Sequence, residues 1–202
     1  MRKLVIIGAG SMIGNLVESF DREPQLAYIH DEPRMPGEMK YGAPVEKRPV
    51  CSDYDYISCI GDTRHKRNLV QELDGANFIN FIDPLAKRLR SSKLGAGIFA
   101  QPFAVVWNGA EVEDHVLILS GCQIGHHVRV GKYSTICPGA IISGHDEVGE
   151  GVWVGANSSI RDDLKIGEGA FVGIGANIIE DIKPNEVWVG NPAHKLKELE
   201  PW

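Results

Sequence analysis

No stretch of this 202-residue chain approaches the roughly 18 uninterrupted apolar residues that a membrane span needs. Nor is there a block of five like charges: 27 acidic residues outnumber 21 basic ones for a net charge of −6, so the basic face of a nucleic-acid binder is not expected. An anionic ligand must then be held by local geometry. Cysteine is scarce as well. Cys51, Cys59, Cys122 and Cys137 are spaced by 8, 63 and 15 residues, which matches no zinc or redox motif and points to reduced thiols in a cytoplasmic protein. The opening MRKLVIIGAG imitates a secretory leader, but its apolar run stops at glycines with no cleavage site, and it reads as a buried strand.

What is present is a soluble globular composition, 43% hydrophobic and 24% charged, with 23 glycines, about 11% against the usual ~7%. The chain is written in two patterns. Residues 1 to about 85 alternate apolar runs (KLVIIGA, LAYIHD, YDYISCIGD, ANFINFID) with amphipathic segments over about 11–20 and 64–73. That alternation predicts parallel βαβ units. The proline-rich stretch DEPRMPGEMKYGAPVEKRPV between the second and third strands predicts a loop at one end of the sheet.

From Leu94 the period changes to six. Leu94, Ala100, Val106, Val112, Ile118, Ile124, Val130, Ile136, Ile142, Val148, Val154, Ile160, Ile166, Val172 and Ile178 are all aliphatic. Fifteen unbroken matches are on the order of a one-in-a-million event at this composition. Such hexads mark a parallel β-helix in which three hexads make one triangular coil of 18 residues and equivalent positions stack about 4.8 Å apart. The aliphatic ladder faces inward at roughly 1.5–3 kcal/mol per side chain. Glycines following it, at 95, 125, 131, 149, 155, 167 and 173, belong where the backbone turns tightly or coils crowd. The phase holds from 94 to 178, which predicts nearly five smooth coils with flat faces suited to closed oligomers.

With its [LIV]-G-x-x-x-x hexads, the closing VWVGNPAHKLK and a βαβ region in front, the whole chain resembles the left-handed β-helix acyltransferases, and more narrowly the PglD/NeuD type of bacterial sugar acetyltransferase. The resemblance implies a Rossmann-like α/β domain over 1–85 that binds a nucleotide-linked amino sugar. It implies a left-handed β-helix with a C-terminal tail over 86–202, a homotrimer with active sites between subunits, and acetyl-CoA as co-substrate. The family's active-site segment, E-H-[DE]-x-x-I-G, falls on Gly125–Gly131. His126 therefore takes the place of the general base, with His127 where the family has a carboxylate. An amine attacking a thioester must lose a proton, and imidazole suits that task near neutral pH. One coil on, Gly144 takes the place of the glycine whose N–H serves the oxyanion. Asn108, one coil before His126, is a candidate to orient it.

By the same resemblance, acetyl-CoA contacts fall on Thr135, Gly144, Ala156 and Ile174. Lys195 and Lys197 are candidate phosphate contacts, the alternative for both being a solvated terminal helix. At the nucleotide end, Gly8, Gly10, Ser11 and Met12 form a glycine-rich turn after the first strand that departs from the dinucleotide fingerprint. His30 and Asp31 end the second strand, and Cys59, Ile60 and Gly61 end the third. A four-strand region lacks the second half of a dinucleotide fold, which disfavours NAD. His127, His145 and Asp163 share one 18-residue column and are read as substrate contacts or a polar ladder. A zinc set is not expected, because the histidine spacing of γ-class carbonic anhydrase is absent. The reading is an N-acetyltransferase for a nucleotide-linked 4-amino-deoxy sugar. An O-acetyltransferase and a non-catalytic sugar-nucleotide scaffold are the alternatives.

Overall fold

The computed structural model describes residues 2–20 and 24–202. The N-terminal part is a parallel sheet with strand order Leu26–His30, Lys3–Ile7, Tyr54–Ser58, Asn77–Phe78 and two helices, α1 (Met12–Glu18) and α2 (Thr63–Gln71). The first strand is nearly all apolar because both sheet faces are covered. Val5 and Ile7 face Tyr28, Tyr56, Leu69, Val70 and Leu73. Leu4 and Ile6 belong to the cluster that runs on into the β-helix interior. The Asp62 carboxylate caps α2, accepting from His65 N–H at 2.7 Å. The proline-rich stretch is more ordered than a plain loop: Met39–Lys40 and Ala43–Pro44 pair as a small antiparallel hairpin, and Val45 bridges Ile29.

The last α/β strand signal divides between two sheets. Asn77–Phe78 pairs with Tyr54–Ser58, whereas Phe81–Ile82 pairs with Phe99–Ala100 and so forms the first rung of the β-helix. The winding therefore starts ahead of the uninterrupted aliphatic phase. Ile82 fits that phase, and Arg88 breaks it at an open first coil.

The rest is a left-handed parallel β-helix with three faces. The first carries strands Phe81–Ile82, Phe99–Ala100, Leu117–Ile118, Thr135–Ile136, Trp153–Val154 and Phe171–Val172. The second runs from Lys87–Arg88 to Asn177–Ile178, and the third from Lys93–Leu94 to Lys165–Ile166. Registers advance by one 18-residue coil, as Leu117 on Thr135 and Thr135 on Trp153. The aliphatic ladder is buried at every position except Leu94, which is half-buried in the first coil.

The residue before each ladder residue faces out, and the three outward columns differ. On the first face it is Phe81, Phe99, Leu117, Thr135, Trp153, Phe171, and the α/β unit covers it: Phe20 meets Phe81 at 4.7 Å between ring centroids. On the third face charges alternate, Lys93, Glu111, Arg129, Glu147, Lys165, with Lys93–Glu111 paired at 2.6 Å and Lys165–Glu147 at 3.7 Å. On the second face Val105 and Ile141 are uncovered. Phe103, Trp107, Ile174 and Ile179 stand exposed at its margins.

At the corners, every sixth residue from Gly97 to Gly175 has positive φ. Half of these fourteen are not glycine: Phe103, His115, His127, Tyr133, His145, Asn157 and Asp163 hold φ between 53° and 63°, at roughly 1–2 kcal/mol each. The glycines directly after the ladder serve another purpose. A Cβ on Gly125 would lie 2.6 Å from the Ser143 carbonyl carbon, so it is the stacking of coils that excludes side chains there.

The last coil is shortened. Ile182 bridges Ile166, and Val187 and Trp188 pair with Phe171 and Val172, a step of 16 residues. Strand Glu186–Gly190 then folds back on Ala193–Glu198 as an antiparallel pair, so the terminal segment is a strand and not a helix. Finally the Trp202 ring settles over Gly151 and Gly169 and under the Arg67 guanidinium, 4.3 Å from its centroid, tying the tail to α2.

Candidate active site

Two regions gather the functional candidates. The first is the corner between the second and third faces, where hexads ending at Ile124 and Ile142 deliver Gly125–Val128 and Ser143–Asp146 one rung apart. His126 O accepts from His145 N–H at 3.0 Å, which fixes the two turns in register. The His126 imidazole lies directly over Gly144. A Cβ there would be 2.4 Å from His126 Cε1 and 2.6 Å from Nε2, so any residue but glycine would displace the ring. Among the described residues the Gly144 N–H has no acceptor.

His127 and His145 complete the corner. Their rings are parallel, 5.1 Å between centroids, and His126 stands edge-on to both. His126 Nδ1 and His127 Nδ1 are 3.3 Å apart. Such a contact needs a proton on one nitrogen and a lone pair on the other. With the proton on His126 Nδ1, its Nε2 keeps the lone pair. His127 thus stands where the resemblance had a carboxylate. Asn108 makes no hydrogen bond to His126, and its carbonyl accepts from His127 N–H at 3.1 Å. Below the histidines the Asp146 carboxyl is buried and accepts from Leu164 N–H at 2.9 Å; burial pushes its pKa up to about 7.

The second region is a cleft of about 400 Å³ at the carboxyl ends of the α/β strands. Gly8, Gly10, Ser11, Met12, Asp31, Cys59, Ile60 and Gly61 line it. Asp31 secures the glycine turn, accepting from Ala9 N–H at 2.7 Å. The sequence reading missed Arg34 and His65, which also line the cleft. His65 is one turn into α2, and Arg34 lies in the proline-rich stretch, where no periodicity singles it out.

Three expected site residues lie elsewhere. His30 is buried on the other side of the sheet, beside Tyr28 and 3.4 Å from Glu72, because strand alternation sends residues 30 and 31 to opposite sides. Thr135 is fully buried under the α/β unit; its hydroxyl donates to Gly61 O at 2.7 Å and accepts from Lys66 Nζ at 2.9 Å. It is an interdomain contact and offers a co-substrate no surface. Lys195 is engaged with Glu186 at 2.9 Å and with Glu198. Ala156 and Ile174 stack at the corner between the first and second faces, across the second face from His126 and Gly144.

Lys66 was not singled out either. It is fully buried, donates to Ser134 O at 3.1 Å and to Thr135 Oγ1, and burial lowers its pKa to about 7. Its signal was its spacing: residues 66, 69, 70 and 73 fall on one helical stripe, a lysine among leucines and valine.

The model of the bacterial transferase hexapeptide (six repeats) matches residues 109–144, which span the histidine corner. By sequence, none of the curated proteins compared matches the chain. Among solved structures, the chain is similar to the acetyltransferase domain of PglB from Neisseria gonorrhoeae FA1090, at 27% identity over 97% of this chain and 100% of that one, TM-score 0.86. The perosamine N-acetyltransferase from Caulobacter crescentus, in complex with CoA and GDP-perosamine, shares the fold at 23% identity over 97% of both chains, TM-score 0.84. WeeI from Acinetobacter baumannii AYE does so at 22% identity over 97% and 100%, TM-score 0.83. Six-residue phase, prism, glycine-backed histidine corner and whole-chain likeness agree: the chain is an acyltransferase built as a left-handed β-helix with hexapeptide repeats, similar to the sugar N-acetyltransferases of known structure.

Proposed function

We propose that this protein transfers the acetyl group of acetyl-CoA to the amino group of a nucleotide-linked 4-amino-deoxy sugar by direct attack. The observation that carries the reading is the His126 ring lying over Gly144. His126 Nε2 takes the proton from the attacking amine, the Gly144 N–H receives the charge developing on the thioester oxygen, and the tetrahedral intermediate collapses by breaking the C–S bond, so that CoA leaves as the thiol with the proton passed on from His126. Proton transfer of this kind is worth about 10²- to 10⁴-fold, and one oxyanion donor about 10²- to 10³-fold. The donor is supported by a solved relative described as bound to acetyl coenzyme A, and the acceptor's nature by one described as bound to CoA and GDP-perosamine.

In this reading residues 1–85 are a Rossmann-like domain whose cleft, walled by Gly8, Gly10, Ser11, Met12, Asp31 and Gly61, holds the nucleotide. Residues 86–202 supply the chemistry, in a cytoplasmic setting suited to four free thiols. The assembly in this reading is a homotrimer, and the placement of the two regions on one chain supports a site shared between subunits. The cleft lies over the first face and the histidines lie on the edge opposite that face, so one chain cannot bring its own nucleotide to its own base. Ala156 and Ile174, on the far margin of the second face, would meet a neighbour's histidine corner when that face is buried, with acetyl-CoA between them.

The test is acetyl-CoA turnover with UDP-, dTDP- and GDP-linked 4-amino sugars. His126→Ala should lose at least about 100-fold in kcat; an unchanged rate removes the base. Offering the matching hydroxy sugar separates N- from O-transfer, and nucleotide-sugar binding without thiol release for any acceptor would leave the scaffold reading.

A further inference from the structure

The histidine corner holds more imidazole than a single proton transfer uses. His126, His127 and His145 are all exposed, and each offers a ring nitrogen within 4.8 Å of the others'. Sequence spacing put His127, His145 and Asp163 in one column. The winding also brings His126 to the first two of these, because adjacent residues at a turn and a residue one rung on converge.

We propose that these three side chains form a binding site for a late first-row divalent cation of the Zn²⁺ type. Tetrahedral zinc with Zn–N bonds of about 2.0–2.1 Å separates its nitrogens by roughly 3.3–3.4 Å. His126 Nδ1 and His127 Nδ1 already stand 3.3 Å apart. The third nitrogen closes on the ion by rotation of exposed side chains, with no backbone movement. His127 and His145 are held toward it by left-handed turns, φ 59° and 63°. Neutral imidazole is the preferred donor for zinc, copper and nickel, and the open side leaves a fourth position for water. Binding takes the His126 nitrogen that orients the ring, and the ion then blocks the corner. That inhibitory consequence rests on the proposed transfer reaction; the binding itself does not.

The experiment is calorimetric titration of ZnCl₂ into the metal-free full-length protein without substrates, for wild type, His127→Gln, His145→Gln and the distant control His194→Gln, with folding checked by circular dichroism. One ion per chain is expected, weakened by either of the first two substitutions by at least the about 10- to 100-fold that losing a supporting partner of a ligand costs, and unaffected by the third. Affinity should also fall on acidification as protons compete for the ligands. Cu²⁺ in place of Zn²⁺ should give an electron paramagnetic resonance spectrum with three nitrogen ligands. Equal affinity in all four proteins, or fewer than three nitrogens, overturns the site. Zinc bound at the corner without slowing acetyl transfer upholds the site and counts against His126 as the base.

Discussion

Replacing Lys66 by methionine should make the protein more stable near neutral pH, by an amount that shrinks as pH rises. The ammonium is 1% exposed, and among the described residues it has no carboxylate within ion-pair distance, only Ser134 O and Thr135 Oγ1. Burial therefore lowers its pKa from 10.5 to about 7 in the fold. A cation destabilised in the folded state costs nothing above pH 10.5. The cost grows as pH falls from there to about 7 and is constant below. A gap of about 3.5 units at about 1.36 kcal/mol per unit gives a full cost on the order of 5 kcal/mol. Methionine, unbranched and of similar length, removes that cost but leaves two acceptors without a donor, at about 1–3 kcal/mol. The variant should gain about 2–4 kcal/mol at pH 6.5 and nothing at pH 9.5. Urea unfolding of both proteins at pH 6.5, 8.0 and 9.5 measures this, and a stability difference independent of pH would refute the reasoning.

Asp146→Asn should also stabilise, with the opposite pH signature. Its carboxyl pKa is raised by burial to about 7, so the charged form burdens the fold increasingly as pH rises from 4 to 7; melting temperatures should differ at pH 8 and converge at pH 4. Gly144→Ala should fold normally yet lose at least about 100-fold in turnover, because its methyl occupies the space of the His126 ring; wild-type kinetics would break the link between that contact and catalysis. His127→Glu, placing a carboxylate beside His126 Nδ1, should move the acidic limb of the kcat/KM profile upward by about one pH unit. Ile141→Arg on the second face should dissociate the oligomer in light scattering, whereas Glu111→Lys on the third should not.

The repeat was legible to the residue, since an inward ladder leaves one position in six no choice but aliphatic. The histidine–glycine stacking was legible for the same reason: a fixed coil length converts an 18-residue separation into adjacency. The positive-φ column was not, because His115, His127, Tyr133, His145 and Phe103 occupy turn positions where local preference expects glycine or asparagine, and the stack imposes the conformation. Thr135 misled because likeness assigns a position without saying which face is covered. The outward column Phe81, Phe99, Leu117, Trp153, Phe171 carried that information and shows that the first face is buried.

The splice between the two architectures also has a mechanical meaning. Phe78 ends one sheet and Phe81 begins the next, so along the chain only two residues, Ile79 and Asn80, separate the platform of the cleft from the prism. Asn80 is itself tied down, donating to Gly95 O at 2.8 Å and accepting from Ile98 N–H at 2.9 Å. The junction behaves as a ruler and not as a tether: together with the Thr135–Gly61 and Lys66–Ser134 bonds it fixes how far the cleft stands from the prism.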